Sequence, residues 1–162
     1  MPATYEPIAT NTISSSTISE VSFTSIPATY TDIVLIIKAT ASTPTTGRLR
    51  FNGVSSNVYS DTFLDASGSA TSSFRETNVS ALYPLSFYNT GTTNSIIDIM
   101  NYAQTTTFKS ILVRGYFTTF ASYGNGIWQS TNAINSIQIS TQTGTHYFGV
   151  GSIFTIYGVK AA

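Results

Sequence analysis

The stretch Tyr30-Thr31-Asp32-Ile33-Val34-Leu35-Ile36-Ile37-Lys38-Ala39 decides the fold of this chain. Pro27 stops whatever precedes it. Ile33 to Ile37 are then five consecutive apolar, mostly β-branched residues. β-Branching disfavours helix, and a run this short cannot span a bilayer. Read as a strand, it sends apolar side chains to both faces of a sheet, so both faces require cover. The expectation is a central strand with a second layer packed against it.

The rest of the chain reads as the strands around that one. Ile18–Ile26 alternates Val21 and Phe23 with Ser22 and Thr24. Arg48–Asn52 sets Leu49 and Phe51 against Arg48 and Arg50, and Gly53 turns the chain. Tyr59–Leu64 is a short strand, and Ala66–Ser73 has the composition of a flexible loop. Ala81–Tyr88 is strand-like, but Pro84 confines it to an edge or a bulge. Ser95–Tyr102 alternates Ile97, Ile99 and Asn101 with Asp98 and Met100, and Phe108–Phe117 is a second strong apolar strand. Ala121–Gly126 reads as a glycine-containing loop, after which Ile127 and Trp128 begin a short strand. Ile134–Ser140 and Ser152–Val159 complete the set. Eight to ten short strands with turn signals between them and no helical period indicate a sandwich, a jelly roll or a barrel. The long connections Thr40–Gly47 and Asn52–Tyr59 favour Greek-key or jelly-roll crossing over a meander. The fold class expected is all-β, an antiparallel β-sandwich of jelly-roll type.

Composition agrees. The chain has 162 residues, which one domain spanning 1–162 accounts for. Residues 1–13, with prolines at 2 and 7, read as an extended N-terminal arm or an edge strand. Serines number 23 and threonines 27, nearly a third of the chain, and Thr favours strands while Ser favours turns. There is no cysteine, which excludes disulfides, thiolate metal sites and cysteine nucleophiles. Charged residues are 9% of the chain, against about 25% in ordinary domains, and they cancel. A neutral surface argues against nucleic acid as a partner. No basic n-region with an apolar h-region opens the chain and no run approaches 18 apolar residues, so neither a signal peptide nor a membrane partner is expected.

No catalytic constellation emerges. His146, the only histidine, lies in Thr145-His146-Tyr147-Phe148-Gly149, and no G-x-S-x-G elbow accompanies it. Asp61 and Asp65 are the nearest pair of carboxylates, but four residues along a strand is about 13 Å, beyond the roughly 5–9.5 Å that glycosidases use. One histidine and scattered acids make no metal site, and the glycines of 123–126 and 149–151 are not phosphate loops. The chain is therefore expected to be no enzyme, with no cofactor and no metal. Trp128, Tyr123, Tyr116 and Phe117 could form a stacking platform for sugar, although core and interface positions are the favoured reading for such side chains. Lysines, which guard sheet edges, number only three: Lys38, Lys109 and Lys160. A β-domain so poorly guarded is expected to have its edges covered by its own arms or by neighbouring subunits.

Three stretches carry a resemblance. They are Ser25–Leu35 (SIPATYTDIVL), Leu49–Gly53 (LRFNG) with Asn57 and Tyr59 after it, and Phe154–Ala162 (FTIYGVKAA). With the opening MPATYEPIAT they resemble small virion structural proteins of tailed bacteriophages, particularly cyanophages and other marine phages. The resemblance implies a capsid decoration or cement protein on the exterior of the head, bridging capsomers as a homotrimer, with the major capsid protein and its own copies as partners. The alternative it implies is a tail-fibre, spike or head-fibre component that contacts a host receptor or surface glycan. Expected assembly contacts are Tyr5, Pro7 and Ile8 in the arm, with Tyr123 and Trp128 in exposed aromatic loops.

Overall fold

A computed structural model describes residues 4–117 and 120–160. Its strands are β1 (Thr4–Thr12), β2 (Glu20–Phe23), β3 (Asp32–Ala39), β4 (Thr45–Phe51), β5 (Tyr59–Ser67) and β6 (Ala70–Val79). They continue with β7 (Leu82–Phe87), β8 (Thr93–Met100), β9 (Lys109–Phe117), β10 (Phe120–Trp128), β11 (Ile137–Thr141) and β12 (Ile153–Lys160). The fold is an all-β antiparallel sandwich. Eight strands form one sheet in the order β1-β12-β3-β8-β9-β10-β5-β6, and four form the other in the order β2-β11-β4-β7.

The decisive stretch is β3, between β12 and β8 in the large sheet. Ile33, Leu35, Ile37 and Ala39 are buried against the small sheet, each of the larger ones contributing about 1.5–3 kcal/mol by its removal from water. The facing layer supplies Val21, Phe23, Leu49, Phe51, Leu85, Phe87, Ile137 and Ile139. The outer face of β3 differs from expectation. Val34 is covered by its neighbours, but Ile36 is 39% exposed, because no second layer lies on that side.

Trp128 anchors the core. It is fully buried, 5.6 Å from the ring of Phe51 and stacked on Tyr59 at 6.4 Å. The Tyr59 hydroxyl accepts from the Phe51 N–H at 3.1 Å and donates to the Val54 carbonyl at 3.0 Å. Asn52 and Gly53 both have positive φ, 53° and 66°, and the Val54 N–H closes the turn onto the Phe51 carbonyl. That is the Asn-Gly turn with two left-handed residues. Asn52 also reaches across the molecule. Its Oδ1 accepts from Asn135 and Ser136, and its Nδ2 donates to Ala133. Before β3, Tyr102 donates its hydroxyl proton to the Pro27 carbonyl and accepts from the Tyr30 N–H, fixing the entry to the central strand.

Several sequence expectations need correction. Among the described residues twelve strands form, more than the eight to ten expected. Ala66–Ser73 is not a loop: it runs through the tight β5–β6 hairpin, turned at Gly68 with φ 58°. Ala121–Gly126 lies in the middle of β10, and Ile127 and Trp128 end that strand instead of starting one. Gly124 and Gly126 are there because core side chains occupy the space of their missing Cβ atoms. The ring of Phe63 lies over Gly124 and Leu82 lies over Gly126. Asn101 does not continue the buried face of Ile97 and Ile99; it turns the chain with φ 54°. The described part of the N-terminal segment is an edge strand, paired with β12 and bulged between Pro7 and Ala9. Pro84 sits in β7, an edge strand of the small sheet, where its missing N–H is harmless.

Candidate functional site

Strand alternation sends every second side chain of the large sheet outward, away from the small sheet. One cross-strand row on this outer face reads Ile36, Ile96, Arg114, Tyr123 and Leu64, from β3 to β5. The next row reads Lys38, Asn94, Tyr116 and Ala121. Ile96 and Leu112 are each 36% exposed, and Tyr116 and Tyr123 each 56%. Ile, Leu and Tyr side chains exposed together on one sheet face mark a contact surface.

The two rows enclose a shallow groove of about 440 Å³. Ile36, Ile96 and Tyr123 line it from one row, and Lys38, Asn94 and Tyr116 line it from the other. Arg114 also lines it, but its guanidinium is held by Asp98 at 2.8 Å. Among the described residues Lys38 has no ion-pair partner, so the groove carries an uncompensated positive charge.

The sheet edges form a second surface. β6 closes one end of the large sheet, and all residues from 70 to 78 are exposed. Its only charges are Arg75 and Glu76. β1 closes the other end. There Glu6 meets Lys160 at 3.0 Å, and this contact holds the Glu6 carboxyl below its usual range and the Lys160 ammonium above its own. Of the expected lysine guards, Lys109 is buried and Lys38 lies in mid-sheet, which leaves Lys160 alone near an edge.

The five expected contact residues therefore separate. Tyr5, Pro7 and Ile8 lie together on β1. Tyr5 is 60% exposed and edge-on to Tyr157, Pro7 is exposed, and Ile8 packs against the core. Tyr123 lies on the outer face, five strand spacings or about 24 Å from β1. Trp128 is not a surface residue at all: its inward position beside Phe51 and Tyr59 removes it from any platform. Of the sugar platform read from the sequence, Tyr116 and Tyr123 do come together, and the Phe117 side chain lies outside the described residues.

His146 sits half-buried in the β11–β12 connection, where its N–H donates to the Thr143 carbonyl and its own carbonyl accepts from Thr141. Asp61 is buried on the inner face of β5 and accepts from the Tyr83 N–H at 2.9 Å, while its Oδ1 has no partner. Burial pushes its carboxyl up to about 6, and Glu76 across the strand pair adds to the rise. Asp65 accepts from the Ser122 hydroxyl at 2.7 Å. Lys109 is caged by the carbonyls of Gln104, Thr107 and Thr131, and desolvation lowers its affinity for the proton. Among the described residues no three His, Asp or Glu side chains gather in a way that could hold a metal ion.

The groove was missed from the sequence because its lining comes from four separate strands, β3, β8, β9 and β10. A usable signal existed: in Ser95–Tyr102 and Phe108–Phe117 the face bearing Asp98 and Arg114 also carries Ile96 and Leu112. No family model, curated protein or solved structure matches the chain.

Proposed function

We infer that the protein is a virion structural protein of a tailed bacteriophage, a decoration or cement protein that binds the outside of the head shell and performs no catalysis. The observation that carries this reading is the state of the large sheet's edges. β6 presents nine consecutive exposed residues with charge at only two adjacent positions. Such an edge is a template for pairing, and cover by a neighbouring chain is one way proteins manage it. β1 offers Tyr5 and Pro7 at the opposite edge. Neighbouring copies, grouped as trimers, and the major capsid protein are the partners this reading assigns. The stretches that resemble phage virion proteins lie in β3 with its approach, in β4 with its turn, and in β12, so they support a shared scaffold more than a shared site.

The strand order supports the jelly-roll reading. Without the hairpins β5–β6 and β9–β10, the sheets read β1-β12-β3-β8 and β2-β11-β4-β7. Two interlocked Greek keys produce that order. The hairpins then widen one sheet and leave the other at four strands.

A second reading, a fibre or spike component that meets a host receptor, is favoured by the outer-face groove. Cryo-EM of virions carrying this chain tests both. Density on the capsid faces is the expected result. Density confined to the tail or a fibre overturns the decoration reading.

A further inference from the structure

We propose that the outer-face groove is a binding site for an acidic pyranose, a sugar bearing a carboxylate of the uronic-acid type. The inference concerns the isolated domain and does not depend on where in a virion it sits.

Shape comes first. The groove, at about 440 Å³, falls within the roughly 300–1,000 Å³ of small-ligand sites. It is open and shallow, which suits a sugar presented on a chain better than a small molecule that must be enclosed. Its apolar lining is two tyrosines on adjacent strands together with Ile36 and Ile96. A pyranose offers the matching surface, an apolar C–H face that packs on an aromatic ring while its hydroxyls project from the rim. Tyrosine suits this because it presents apolar area at one end and a hydrogen-bonding hydroxyl at the other.

Charge selects among sugars. Lys38, Asn94 and Tyr116 lie in one cross-strand row, with Asn94 directly opposite both of the others. Lys38 and Tyr116 are thus two strand spacings apart, about 10 Å. A ring seated against Tyr116 places an exocyclic group toward Lys38, with the Asn94 amide between them able to donate or accept. Arg114 is occupied by Asp98, so Lys38 is the cation left for a ligand, and a carboxylate is its natural complement. A neutral sugar would leave that charge unanswered. An acidic peptide could satisfy Lys38, but an extended peptide would be expected to pair backbone groups, and the strands beneath the groove already have both neighbours.

The test is titration of the purified protein with methyl glucuronide, followed by amide NMR shifts, with methyl glucoside as the neutral control. The expected result is saturable shifts around Lys38, Tyr116 and Tyr123 in the roughly millimolar range of a shallow site. Affinity should fall about tenfold for the glucoside and for Lys38→Ala, the loss of one charge-assisted contact. Tyr123→Ala should abolish saturation while Tyr123→Phe retains it. Both positions are exposed, and unchanged spectra elsewhere will confirm that the variants fold. Equal affinity for glucuronide and glucoside overturns the proposal, as does no saturation at about ten times the expected concentration. Saturable binding of a glutamate-bearing tripeptide without glucuronide binding also overturns it, in favour of a protein partner.

Discussion

Replacing Asp61 with Asn should change how the stability of this domain depends on pH. In the unfolded chain the carboxyl titrates near 3.8, whereas in the fold burial holds it to about 6. Between those values the folded state binds more protons than the unfolded state, so stability falls as pH rises through the window. Below it both states are protonated and the group contributes nothing. Above it the ionised carboxylate must be kept under the small sheet with one oxygen unpartnered. A shift of about two units corresponds to about 3 kcal/mol, at roughly 1.4 kcal/mol per unit. Asn keeps an oxygen for the Tyr83 N–H but cannot ionise. The variant is therefore expected to lose stability at pH 4, by about 1 kcal/mol for an amide N–H without an acceptor, and to gain at pH 7. The difference between variant and parent should grow by about 2.4 kcal/mol from pH 4 to pH 7, because pH 4 already lies just inside the window, or roughly 5–10 °C in Tm for a domain of this size. Thermal and urea unfolding of both proteins across pH 3.5–7.5 at fixed ionic strength measures it, and groups that do not interact with Asp61 cancel in the difference. Curves that run parallel over the whole range would refute the reasoning.

Three further outcomes follow from the packing. Asn52→Ala removes three hydrogen bonds and puts at φ 53° a residue that, unlike Asn, rarely adopts the left-handed region, so urea unfolding should show a loss of about 3 kcal/mol. Asn52→Gly, which keeps the backbone freedom, should lose less. Gly124→Ala drives a Cβ into the Phe63 ring and should cost about 1–3 kcal/mol, with Phe63→Leu in the same chain recovering part of it in a double-mutant cycle. Lys109→Met strips three carbonyls of their common donor and should lower the urea midpoint by the equivalent of about 3 kcal/mol.

Much of the fold was legible because local and tertiary preferences agree. Ile33 to Ile37 read as a central strand, and β3 is one. Leu49-Arg50-Phe51-Asn52-Gly53 read as a half-buried strand and a turn, and it is both. The failures have physical causes. Gly124 and Gly126 signal a loop by composition, yet they are strand residues whose absent side chains make room for Phe63 and Leu82. β6 carries one large apolar residue, Phe74, because neither of its faces is buried, so it shows no alternation to find. Trp128 was legible as important but not as inward-facing, since its side depends on the register of β10 against β5. The groove draws on β3, β8, β9 and β10, and pairing across those strands is information that no single stretch contains.

The pairing of β1 with β12 sets Thr4 opposite Lys160. The described polypeptide therefore enters and leaves at one corner of the large sheet. A linker joining those points would close a short loop, and loop closure grows only slowly more costly with length. The domain is thus suited to circular permutation, with new termini in the exposed Ser67–Ala70 turn, and to carriage as an insert within another protein. In either arrangement the joining segment lies at one edge, and the opposite edge strand stands seven strand spacings away, about 34 Å.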